Sequence, residues 1–183
     1  MRTGFAVLLL ATLAGLAGCL DRASDEHPSA SYPELQESEV RGLTPEQIQG
    51  LRNGDGMGYA LPAELNGYPG PKHVLELADE LGLNESQREA TAKIRAEMLE
   101  KAKATGLALV SEYESLDQEF RSQNIDAQRL RNLTAQIGTL EGELRTIHME
   151  AHLEMMTVLT HEQILLYSEL RGYQSGGHPD HGH

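Results

Sequence analysis

His148 and His152 stand one helical turn apart in HMEAHLEMM (residues 148–156), with Met155 and Met156 a turn further on. Side chains at i and i+4 project from one face of a helix, and two imidazoles so placed are a common half-site for zinc, copper or nickel. The other half must come from a second element. His73 offers it, sharing a face with Glu76 and Glu80 at i, i+3 and i+7. The same residues also have a purely structural reading. An interfacial histidine can hydrogen-bond a carboxylate such as Glu76 or a carbonyl, and methionine fills gaps between packed helices. The spacing alone leaves both open.

Other candidates are weaker. The closing run SGGHPDHGH carries His178, His181 and His183, a density that suits weak, unselective metal scavenging. His161 lies inside a helix-start motif and is expected at the surface, while His27 has no evident role. An EF-hand-like run from Asn53 puts Asp55, Gly58 and Glu64 at ligand-loop positions, but Asn53 replaces the first Asp, Met57 stands where an oxygen belongs and Pro62 interrupts the loop. No calcium site is expected there. No nucleophile motif or phosphate-binding loop occurs, and the carboxylates are spread over helix faces, so the chain is not expected to be an enzyme.

Helices must position these residues, and apolar spacing supplies them. Pro71 suits a first helical turn, and Val74, Leu77, Ala78 and Leu81 then mark one face. Ile94, Met98, Ala102, Leu109, Tyr113, Leu116 and Phe120 predict a helix from about Asn84 to Phe120, about 55 Å long. RSQNID (residues 121–126) breaks it. Leu130, Leu133, Ile137, Leu140, Leu144, Ile147, Ala151 and Val158 then recur mostly at alternating steps of three and four, a coiled-coil seam. So short a connection folds the two long helices back antiparallel. A last helix covers about Thr160 to Leu170 and ends at Gly172. The fold class is all-α: a long antiparallel helical hairpin with short flanking helices. At about 100° per residue, His148 falls about 50° and His152 about 90° from the seam centre, edge positions between core and solvent. Met155 lies near the seam and Met156 points away from it.

The remaining stretches divide the chain. FAVLLLATLAGLAG (residues 5–18) follows Arg2 and is too short to span a bilayer comfortably, as expected of a secretory signal. Leu16-Ala17-Gly18-Cys19 resembles a bacterial lipobox, which implies cleavage before Cys19 and acylation of its thiol. Cys19 is the one cysteine, so a lipidated chain has neither a disulfide nor a thiolate ligand. Residues 19–42 read as a flexible tether. Residues 43–71, broken by glycines and prolines, read as an irregular extension with short helices. Residues 72–172 form the helical domain and 173–183 a disordered His-rich tail. A net charge of −13 argues against nucleic acid and against a polybasic membrane contact. With no Trp and two Phe, the core must rest on aliphatic side chains.

One pattern occurs three times: Leu43-Thr44-Pro45-Glu46-Gln47, Leu83-Asn84-Glu85-Ser86-Gln87 and Leu159-Thr160-His161-Glu162-Gln163. Each is a capping box, in which Thr44, Asn84 or Thr160 accepts from the amide of the third helical residue, while Gln47, Gln87 or Gln163 reaches back to the cap amide. Leu43 with Ile48, and Leu159 with Ile164, add hydrophobic staples; Arg88 takes that place in the middle copy. The second and third copies flank the hairpin. In this the chain resembles, over roughly residues 72 to 171, the Spy/CpxP family of LTxxQ-motif bacterial envelope proteins, which includes ZraP- and CnrX-like metal-responsive members. The resemblance implies a curved, often dimeric hairpin that shields unfolding proteins or senses metal and stress. Its expected partners are therefore unfolded clients, a sensor kinase or a second copy of the chain. It also implies metal ligands of His, Glu and Met type on the hairpin, to which the His152-x-x-x-Met156 spacing adds Met156. Lipidation implies a location on the periplasmic side of a bacterial membrane, with Leu20 rather than an acid after Cys19 pointing to the outer one.

Overall fold

The computed structural model describes Tyr32, Leu35 and residues 37–173. The expected signal, Cys19, His27, most of the expected tether and the histidines His178, His181 and His183 lie outside the described residues. Among the described residues, six helices of defined bounds follow in order from Pro45: α1 Pro45–Asn53, α2 Leu61–Glu64, α3 Pro71–Glu76, α4 Glu85–Arg121, α5 Ala127–Val158 and α6 His161–Leu170. Among the described residues there is no strand, and no helix is long and apolar enough to cross a membrane.

Helices α4 and α5 are the hairpin. Gln123 at φ 56° turns the chain, Asp126 caps α5 by accepting from the Arg129 amide, and Arg129 crosses back to Glu119 at 2.8 Å. At the opposite end Gln87, near the start of α4, donates to the carbonyl of Val158, the last residue of α5. Contacts at both ends fix the pair as antiparallel. The apolar seam is buried from Leu133 through Ile137 and Leu144 to Ala151. Near the turn it opens, leaving Phe120 and Leu130 exposed.

The extension is part of the fold. Val40, Leu43, Ile48 and Leu51 join Ala102, Leu109, Val110, Ile137 and Leu144 in one apolar cluster. Gly106 makes that contact possible, because a Cβ there would lie 2.2 Å from the Leu51 carbonyl oxygen. Ser38 is buried and donates to the Leu43 carbonyl, so the folded unit takes in the end of the stretch expected as tether. A second cluster joins Val74, Ala78, Leu81, Leu83, Met155, Leu159 and Tyr167.

The helix beginning at Pro71 is shorter than its apolar spacing predicts. It ends at Glu76, and Gly82 at φ 61° redirects the chain into the second capping motif. Arg88 explains the stop. Its guanidinium donates to the carbonyls of Ala78 and Leu83 and to the Asp79 carboxylate, groups that a continuing helix would orient differently. Glu80 therefore lies beyond α3 and does not share a helical face with His73 and Glu76.

Candidate functional site: a histidine-lined cavity

The expected edge positions of His148 and His152 are both buried, at 3% and 7% exposure. Residues outside the hairpin cover them. The Tyr59 ring stacks on His148 with centroids 5.9 Å apart, and the Arg145 guanidinium lies over the Tyr59 ring, 5.5 Å from its centre. His152 Nδ1 lies 2.7 Å from the Tyr68 carbonyl. A carbonyl only accepts, so His152 carries its proton on Nδ1 there. Helical periodicity sees one helix at a time, and the cover comes from residues some 80 positions earlier in the chain.

Glu64, at the end of α2, anchors that cover. It is 7% exposed, and its Oε1 accepts from the hydroxyls of Tyr167 at 2.6 Å and Tyr173 at 3.0 Å. Arg171 Nε lies 3.4 Å from the same oxygen, and His152 Nδ1 lies 3.6 Å from Oε2. The Tyr167 hydroxyl also accepts from the Gly70 amide at 3.3 Å. Burial, and then the bond to the Glu64 carboxylate, push the Tyr167 phenol well above its ordinary range. Gly70 is required by space: a Cβ there would come within 2.9 Å of His152 Cε1 and 3.1 Å of Glu64 Oε2. A buried carboxylate is tolerated when its oxygens are this well supplied with donors.

Between this cover and the hairpin lies a cavity of about 560 Å³, onto which His73, His148, His152, Glu64, Asp55, Lys72, Arg95, Arg171 and Tyr173 all open. Three candidate histidines from two distant segments thus line one space. Burial, reinforced by the neighbouring His152, holds the His148 imidazole below its ordinary value, with Asp55 acting in the other direction. His73 Nδ1 meets Glu76 Oε2 at 2.8 Å, and that hydrogen bond draws the Glu76 carboxyl below its usual range.

The structure does not unite every candidate. Glu76 is exposed and lines no part of the cavity. Met156 is 37% exposed and likewise stands apart, whereas Met155 is fully buried in the second cluster. His161 is exposed, as its place in a cap requires. Among the described residues no three His, Cys, Asp or Glu side chains come close enough to hold a metal ion.

Sequence reasoning gives no site role to Arg95, Tyr167, Arg171 or Tyr173, and weighs Glu64 only as a position of the rejected EF-hand-like loop. Tyr173 belongs by sequence to the tail, yet in the structure its hydroxyl donates to Glu64. The one available signal was the Tyr68-Pro69-Gly70-Pro71 turn, which returns the chain toward the hairpin. The capping boxes all form, and two of them also bind each other. Gln87 and Gln163 exchange side-chain hydrogen bonds, and Gln163 donates to the Leu81 carbonyl.

A family model describing LTXXQ motif family proteins matches residues 71–171. No curated protein and no solved structure matches the chain. The matched span covers the hairpin, its flanking helices and the paired motifs, and the chain belongs to the LTXXQ motif family, the Spy/CpxP type of helical protein.

Proposed function

We propose that this protein is an envelope lipoprotein of the Spy/CpxP type, anchored through Cys19 on the periplasmic side of the outer membrane, and that it acts as a chaperone or adaptor. It holds unfolded clients or a sensor-kinase domain on its helical surface. The observation that carries this reading is an apolar groove between α2 and α5. It has a volume of about 460 Å³ and is lined by Pro62, Ala63, Tyr68, Thr146, Met149, Glu150 and Leu153. Leu153, in its wall, stands 55% exposed. Contiguous exposed apolar surface marks an interaction site, whereas scattered apolar residues do not. Glu150 is the one charged side chain in the groove, which suits apolar segments of varied sequence.

Suppression of aggregation of a reduced, unfolding test protein by the purified acylated chain tests the reading. Met149→Ser/Leu153→Ser should cut that suppression several-fold with helicity unchanged. No suppression by the wild type removes the chaperone role.

A transition-metal function through His73, His148 and His152 has less support, because no three-ligand group is assembled among the described residues. Titration with zinc, copper and nickel, repeated on His148→Ala/His152→Ala and on a chain truncated after Gly177, separates a hairpin site from scavenging by the tail.

A further inference from the structure

We propose that the cavity beneath the extension binds a small oxyanion, a carboxylate- or phosphate-bearing molecule, through His148, Arg95 and Arg171. This site is distinct from the apolar groove and shares no residue with it.

The first observation is an account of hydrogen bonds. Among the described residues, two buried side-chain polar atoms have no hydrogen-bond partner: His148 Nε2 and Arg171 Nε. Both residues line this cavity. His148 is 3% exposed, and an unpaired buried polar atom costs about 1–3 kcal/mol. Two such atoms on residues of one cavity wall point to a partner that enters the cavity and draws these side chains toward it. Arg171 Nε has only Glu64 at ion-pair distance, without hydrogen-bond geometry.

Charge gives the sign of that partner. Lys72, Arg95 and Arg171 line the cavity against Asp55 and Glu64. The wall is therefore net positive by one even with every histidine neutral, in a chain whose net charge is −13. Glu64 is further occupied, since Oε1 already accepts from two phenols. A local positive wall in an acidic protein concentrates anions and repels cations, which also argues against a divalent metal here. Guanidinium groups supply paired donors matched to carboxylate and phosphate oxygens, and His148 Nε2, which no protein group engages, adds a third donor in its Nε2–H tautomer. About 560 Å³ admits a small organic acid or a phosphate ester.

Calorimetric titration of the full acylated chain with inorganic phosphate, succinate and citrate tests the site, with zinc as the cation control. At least one anion should bind saturably, at least tenfold more weakly in Arg95→Gln and in His148→Gln. Arg95→Gln changes a half-exposed residue and keeps the fold, so it serves if His148→Gln is unstable. Absence of saturable binding by all three anions overturns the proposal, as does equal affinity in wild type and Arg95→Gln. Zinc binding that is lost in His148→Gln, without anion binding, overturns it in favour of a cation site.

Discussion

Gln87 and Gln163, 76 residues apart, hold each other: Gln87 Nε2 donates to Gln163 Oε1 at 2.8 Å, and Gln163 Nε2 returns the bond at 3.2 Å. Each also accepts from its own cap amide, and each donates to a carbonyl across the junction, Val158 for Gln87 and Leu81 for Gln163. The motif is thus a helix cap used twice, as a start signal and as a clamp closing the base of the hairpin. Gln47 makes the cap bond alone, so Gln47→Ala should cost about 1 kcal/mol. Gln87→Ala and Gln163→Ala should each cost about 2–3 kcal/mol, because partly buried partners are left unpaired. Urea denaturation gives these values. The double variant should cost less than the sum of the two; strict additivity would mean that the bonds between the motifs contribute nothing.

Two glycines in the long helices should respond oppositely to a methyl group. At Gly106 a Cβ meets the Leu51 carbonyl at 2.2 Å, backbone against backbone, so Gly106→Ala must displace α1 and should cost about 1–3 kcal/mol. At Gly138 a Cβ meets nothing within 4 Å, and Gly138→Ala should stabilise by about 0.5–1 kcal/mol through helix propensity. Thermal melts of the two variants should shift in opposite directions. A stabilised Gly106→Ala would refute the close packing of α1 on α4.

Tyr167→Phe removes the donor to Glu64 and the acceptor for the Gly70 amide in one change. A hydrogen bond to a buried carboxylate contributes about 1.5–3 kcal/mol, and the loss should be concentrated in the segment that Glu64 ties down. Amide exchange should therefore accelerate at residues 59–73 well beyond any change at the hairpin turn. Uniform acceleration over the whole chain would show that Glu64 does not act as a local latch.

The pH dependence has two limbs. Burial and then the bond to Glu141 push the Tyr113 phenol up to about 12, and Tyr167 is raised as well. The unfolded chain releases these protons from about pH 10, so it binds fewer protons than the folded one above that point and stability falls as pH rises. Tyr113→Phe should flatten that limb. On the acid side, His148 is held below its ordinary value by burial. The unfolded state takes up that proton first, and stability declines as pH drops below about 6.5. His148→Gln should reduce the acid slope between about pH 6.5 and 5, read from urea midpoints. Parallel curves for wild type and variant would remove either contribution.

The chain's own pattern determined a good deal. Three- and four-residue apolar steps, Asn84 and Thr160 before their helices, and the polar break at RSQNID set the hairpin and its limits to within about two residues. These features act within a few turns of one another, so local chemistry suffices to read them. It was the tertiary structure that joined Gln87 to Gln163, laid Tyr59 and Tyr68 over His148 and His152, and buried Glu64 among two tyrosines and an arginine. Those contacts join residues separated by 76 to 109 positions or approach across helices, and no periodicity along one helix encodes its register against another. His148 and His152 show the difference. Their spacing put them on one face; whether that face met water, a metal or a covering loop depended on where residues 54–73 came to rest.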